Sequence, residues 1–200
     1  MCSNATVLSL VRHGRTGANA AGLLLGRLDP GLDEMGRWQV NRLAEALGPV
    51  DRLVASPLTR TRETAAAIGG PVELDARVIE LDYGVLDGLP LTDVPPEVWV
   101  RWRDDVDFAP DGGETLRMLA ARVSDALDEL IDEARERHVV VVSHVLPIKA
   151  GVAWALGVGV EAAWRLHLDQ ASITRITVGP TGPVVRTYND IAHLAGGPPA

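Results

Sequence analysis

Cysteine is almost absent from this chain: of 200 residues only Cys2 is one, at the extreme N-terminal end. That excludes a disulfide framework and a thiolate metal cluster, and it fits a reducing, cytoplasmic setting. Basic charge is in deficit as well, with 19 lysine and arginine side chains against 27 aspartates and glutamates and a formal charge of −8. So acidic a chain is a poor partner for nucleic acid or an anionic membrane, and any anion site has to be a local gathering of arginine. No run approaches the roughly 18 apolar residues of a membrane span, and Met1 to Thr6 lacks the basic and apolar regions of a secretory leader, so an unprocessed soluble protein is expected. Repeats, linkers and low-complexity segments are missing too. What is present is 46% hydrophobic content, enough for a sizeable core in one domain over 1–200.

Val7 to Val11 is a short apolar run that reads as a buried strand ending at Arg12-His13-Gly14. From Asp33, the residues Met35, Trp38, Val40, Leu43, Ala44 and Leu47 have helical spacing, with Asp33 as N-cap and Gly48-Pro49 as the stop. Leu53 to Ala55 reads as a second strand, and Ser56-Pro57 as the start of a helix with Ser56 as its cap, running to Gly69-Gly70. This order predicts a parallel sheet covered by helices. The stretch 72–113, broken by Pro90, Pro95, Pro96 and Pro110, reads as an irregular insertion over the sheet in which only Glu97 to Arg103 is helical.

Thr115 to Arg137 is the longest expected helix, with Leu116, Leu119, Val123, Leu127 and Leu130 on one face. Val139 to Val142 is a second buried strand ending in histidine, at Ser143-His144, and Leu146 to Leu156 reads as a helix with Pro147 in its first turn. Ile173–Val178 and Val184–Tyr188 flank a Gly-Pro turn as a hairpin at the sheet edge, which leaves a strand open to a second copy in a homodimer. The fold class expected is α/β, a three-layer sandwich with a mostly parallel central sheet, helices on both faces and a C-terminal hairpin at the edge.

Two histidines thus follow directly on buried strands, and open α/β sheets carry their sites at those carboxyl ends. With Arg12 beside His13, and Arg60 early in a helix that itself follows a strand, the four side chains make a cationic cup. Planar guanidinium forks match phosphoryl oxygens in pairs, and a neutral imidazole can attack phosphorus and split one hard step into two. Two histidines and a glutamate could hold zinc, but two arginines in the same cup repel a cation, so neither metal nor cofactor is expected. Gly157 to Ala162 loosely matches a dinucleotide fingerprint but follows a helix, which excludes that reading.

The run Leu10-Val11-Arg12-His13-Gly14-Arg15-Thr16, with Asn19 and Gly26-Arg27-Leu28-Asp29, resembles the opening signature of the histidine phosphatase superfamily, in its phosphoglycerate mutase-like branch. Four more blocks agree in order: Ser56-Pro57-Leu58-Thr59-Arg60-Thr61 with Thr64-Ala65; Glu80 ahead of Gly84 and Asp87-Gly88; Gly112-Gly113-Glu114-Thr115; and Val142-Ser143-His144. The ordered set spans nearly the whole chain and is far more specific than a lone Arg-His-Gly. By that resemblance His13 is the phosphoryl acceptor, Arg12, Arg60 and His144 bind the transferring group, Glu80 is the proton donor, and Thr16, Asn19 and Arg27 line the pocket. The resemblance implies hydrolysis of a small phosphorylated metabolite. Phosphoglycerate mutation and a phosphate-binding module without turnover are the alternatives.

Three departures stand out. Arg15 takes a place where the family commonly has an acidic or amide residue, Val145 replaces the usual glycine after the second histidine, and Leu81-Asp82 follows Glu80 where mutases carry basic and aromatic residues for phosphoglycerate. The last weighs against mutase activity. Of the other candidates, Arg62 lies about 200° around the helix from Arg60 and should face solvent. His138, His167 and His193 read as structural or peripheral, and Trp99 and Trp102 as packing or as the rim of a substrate entrance.

Overall fold

A computed structural model of the chain describes residues 6–133 and 137–198. Its elements run β1 (Thr6–Arg12), α1 (Gly17–Ala20), α2 (Glu34–Leu47), β2 (Arg52–Ala55), α3 (Thr59–Ile68), β3 (Val72–Leu74), α4 (Pro96–Asp104), α5 (Leu116–Glu133), β4 (His138–Ser143), α6 (Val145–Leu156), β5 (Ile173–Gly179) and β6 (Gly182–Asp190). The strands form one six-stranded sheet in the order β3-β2-β4-β1-β5-β6. The first four of these are parallel, and β5 and β6 close one edge as the antiparallel hairpin the sequence announces.

Strands β1 and β4 are mainly apolar, interrupted by Ser9 and ending in Arg12 and Ser143, because helices cover both faces. Leu8, Leu10, Val139 and Val141 pack with Leu119 and Leu127 of α5 and with Leu146 and Ile148 of α6. Their alternates Val11, Val140 and Val142 pack with Leu43 and Leu47 of α2 and Ala65 of α3. The period of two therefore divides one sheet between two cores, each large aliphatic side chain stabilising by roughly 1.5–3 kcal/mol. This is the three-layer α/β arrangement read from the sequence.

Asp33 caps α2 as expected, its carboxylate accepting the Gly36 amide at 2.7 Å. Ser56 does not cap α3. The helix starts at Thr59 with Leu58 at the cap position, because the Ser56 amide still belongs to the sheet, donating to Val142 O at 3.0 Å. α5 begins at Leu116; its expected continuation to Arg137 crosses residues 134–136, outside the described residues, as Cys2 also does. Two short elements, α1 and β3, were not foreseen. The proline-broken stretch carries α4, whose fully buried Trp102 is ringed by Tyr83, Trp99, Phe108 and Trp164. Aromatic packing, not regular backbone pairing, holds this segment against the sheet.

Candidate active site

Register brings the two histidines together. Arg12 of β1 sits opposite Ser143 of β4 in the parallel ladder, and the His13 amide extends it by donating to Ser143 O at 3.1 Å. The next residue of each strand therefore leaves the sheet beside the other, and the imidazoles meet edge-on with centroids 5.2 Å apart. Behind His13 the loop lies against α2 so closely that a Cβ on Gly14 would stand 2.7 Å from Gly36 O and 2.8 Å from Val40 Cγ1. Only glycine permits that approach.

Partners fix the tautomers. His13 Nδ1 lies 2.7 Å from the Gly14 carbonyl oxygen, which only accepts, so Nδ1 carries the proton and Nε2 the lone pair. His144 is the reverse: Arg60 donates its Nε–H to Nδ1 at 3.2 Å, which puts the proton on Nε2, 2.8 Å from Ser56 Oγ. Burial first, and Arg60 next, hold both rings well below the usual 6.5, so both are neutral at neutral pH.

Arg60 is fully buried and gives one N–H from each terminal nitrogen to the carbonyls of Leu28 (2.7 Å) and Gly26 (2.8 Å), leaving one on each uncommitted. The Asp87 carboxylate aims those carbonyls by accepting the amides of Gly26, Arg27 and Leu28 at 2.7, 2.7 and 2.8 Å. Arg12 donates to Leu168 O at 2.6 Å, and its buried Nε has no partner among the described residues. Burial lowers its pKa to about 10, so it keeps its charge. A buried guanidinium with an idle donor beside a nucleophilic nitrogen is a place for an anion.

Glu80 is buried and docked on the first turn of α6, accepting from Leu81 N (2.8 Å), Val145 N (2.9 Å) and Leu146 N (3.2 Å). Burial pushes its pKa up, outweighing those amides and the two arginines, Arg60 and Arg12, that pull it down. Its backbone is clamped from below, for Arg122 donates to the carbonyls of Ile79 (2.7 Å) and Glu80 (3.1 Å) and is held by both oxygens of Glu114 at 2.7 and 2.8 Å.

A cavity of about 300 Å³ opens onto Arg12, His13 and Glu80. Asn19, Trp99 and Val145 also line it. Thr16 does not; it is buried behind the wall and holds Asn19 in a capping box, Asn19 N to Thr16 Oγ1 and Thr16 N to Asn19 Oδ1 both at 3.1 Å. Arg27 lies outside, 3.5 Å from both Asp82 and Glu114. Arg15 turns away to Asp33 at 2.8 Å. Arg62 is exposed. His138 bonds Ser9 and Pro49 O, and His167 bonds Asp169 on the surface. Sequence reasoning missed Ser56 as a partner of His144, Asp87 and Arg122 as supports, and Lys149, Trp164 and Gln170 in the cavity wall. Of these, Ser56 and Asp87 stand inside the motif blocks read from the sequence, and Lys149 falls one turn after Val145 on the helix that begins at the second histidine.

Residues 8–191 match the family model described as the histidine phosphatase superfamily, branch 1. The chain is 37% identical over 200 residues to the bifunctional protein Rv2228c of Mycobacterium tuberculosis, a match covering 94% of this chain and 55% of that one. It therefore spans about half the length of that relative. It is 35% identical over 199 residues to phosphoserine phosphatase 1 of Hydrogenobacter thermophilus, covering 94% and 93% of the two chains. Among solved structures, the mycobacterial glucosyl-3-phosphoglycerate phosphatase Rv2419c in complex with VO3 superposes with a TM-score of 0.84 at 32% identity, over 92% of this chain and 99% of that one.

Proposed function

The chain belongs to the histidine phosphatase superfamily, branch 1, and on that premise we propose that it hydrolyses small phosphomonoesters through a phosphohistidine formed on His13. One observation carries the reading: the His13 Nδ1–H is fixed on the Gly14 carbonyl, so the free lone pair of Nε2 belongs to a ring that also lines the cavity with Arg12 and Glu80. In the first step Nε2 bonds to phosphorus as the ester P–O bond breaks, and the proton held by Glu80 passes to the departing alkoxide. In the second, the Glu80 carboxylate takes a proton from water as its oxygen attacks the phosphohistidine. Phosphate leaves and His13 is regenerated.

Arg12, Arg60 and His144 surround the transferring group, and their fixed donors stabilise charge that grows on its oxygens. Asn19 contributes an amide at the cavity wall, and Thr16 acts through it. Arg27 orders the Asp82–Glu114 side of the site and is not a direct contact. The test is phosphate release from a panel of metabolite phosphates, run beside a coupled isomerase assay. Release accompanied by an acid-labile phosphoenzyme is expected; isomerisation of phosphoglycerate without release would turn the reading to a mutase.

A further inference from the structure

Lys149 is the one lysine of the chain; every other permanently charged base is arginine. It sits on α6, half-buried, and lines the same cavity as His13 and Glu80. Among the described residues it has neither a hydrogen bond nor an ion-pair partner. Eight arginines pair with carboxylates, whereas this half-buried ammonium in the cavity wall has no such compensation. Gln170, with a side-chain amide, shares that wall.

We propose that Lys149, with Gln170, forms a subsite for a carboxylate on the leaving-group side of the substrate, which makes phosphorylated carboxylic acids the preferred esters. The inference rests on the phosphatase reading above. The carboxylate nearest in influence to Lys149 is Glu80, and Glu80 must hold a proton to act as acid. At that moment Lys149 has no negative charge to face unless the substrate brings one. A single ammonium matches a single carboxylate charge, whereas a second phosphate would set up to two charges against one cation, the arginines being committed beside His13. The outer wall, with Trp99, Leu23 and Leu91, suits the carbon skeleton between the two anions.

The experiment compares 3-phosphoglycerate with glycerol 3-phosphate, which differ by a carboxylate in place of a hydroxymethyl group. The wild type should favour the acid in kcat/KM by about tenfold or more, mostly through KM, the size of one charge-assisted hydrogen bond. Lys149→Met should erase that ratio and Lys149→Arg should keep most of it; using a ratio within each variant separates lost recognition from lost folding. If Lys149→Met keeps the wild-type ratio, or the wild type shows no preference while it hydrolyses p-nitrophenyl phosphate, the subsite is refuted and the phosphatase reading stands. If the wild type releases phosphate from none of the three, both fall.

Discussion

Arg60 donates its Nε–H to Nδ1 of His144 across 3.2 Å, while its terminal nitrogens hold the carbonyls of Leu28 and Gly26. The guanidinium is thus set before any substrate arrives, and little reorganisation is needed when charge develops on a phosphoryl group. Arg60→Ala should lower kcat/KM about a hundredfold, on the order of 3 kcal/mol of transition-state stabilisation. Arg15 commits its Nε to Asp33 outside the cavity, so Arg15→Ala should cost less than about threefold. Steady-state kinetics on the two variants decide it, and equal small losses would move the phosphoryl site elsewhere.

His13→Ala should abolish turnover and the acid-labile phosphoenzyme together, with the circular dichroism spectrum unchanged. The ring is buried but touches a cavity rather than a packed core, so the stability loss should stay near 1 kcal/mol or so. Phosphate trapped on another side chain in this variant would remove His13 from the proposed role.

A site whose positive charge is carried by Arg12 and Arg60 should work in the presence of chelators, while vanadate, which can adopt the five-coordinate geometry of phosphorus in flight, should inhibit strongly. Activity lost to chelation and restored by zinc or magnesium would overturn the metal-free mechanism.

The buried imidazoles also set a pH dependence of stability. Their folded pKa values lie well below the ordinary 6.5, so the unfolded chain binds protons that the folded one refuses. The stability they contribute is complete above the unfolded value and is lost as pH falls through the folded ones. Glu80, raised by burial, has the opposite sign: its contribution is complete below its unfolded pKa and is lost as pH rises through the folded one. Between about pH 7 and about pH 5 the melting temperature of the wild type should fall more steeply than that of a His13→Asn, His144→Asn double variant. Parallel curves would mean that the rings titrate normally.

Much of this was legible in the chain itself, because the signals were local. A run such as Val139 to Val142 can only be a doubly covered strand, and two such runs ending in histidine, once paired in parallel, must present those histidines together. What was hidden depended on contacts remote in sequence. Ser56 has the composition of a helix cap, yet ladder pairing with Val142 held it in the sheet and gave its hydroxyl to His144. Thr16 and Arg27 carry groups that suit a pocket, but a capping box claims the first and two carboxylates the second. The stretch around Trp102 has no periodicity to read, since clustered rings order it.

The sharpest test concerns Glu80. An alkyl alkoxide is a poor leaving group unless it gains a proton as the P–O bond breaks, whereas p-nitrophenolate leaves unaided. Two arginines nearby would ordinarily strip the proton from a carboxyl. Here burial outweighs them and raises the pKa, so an acid at this position is compatible with the charge around it. Glu80→Gln keeps the shape and can still accept an amide N–H, but it has no acidic proton. It should cost about a hundredfold or more on a sugar phosphate and much less on p-nitrophenyl phosphate. Arg122→Met should show the same asymmetry at smaller amplitude, since Arg122 reaches this segment through the backbone carbonyls of Arg77, Ile79 and Glu80 and not through the Glu80 carboxyl. Equal losses on both substrates would make Glu80 a positioning residue. With no loss on either, Asp82, whose side chain lies 3.5 Å from Arg27, becomes the next carboxyl to test.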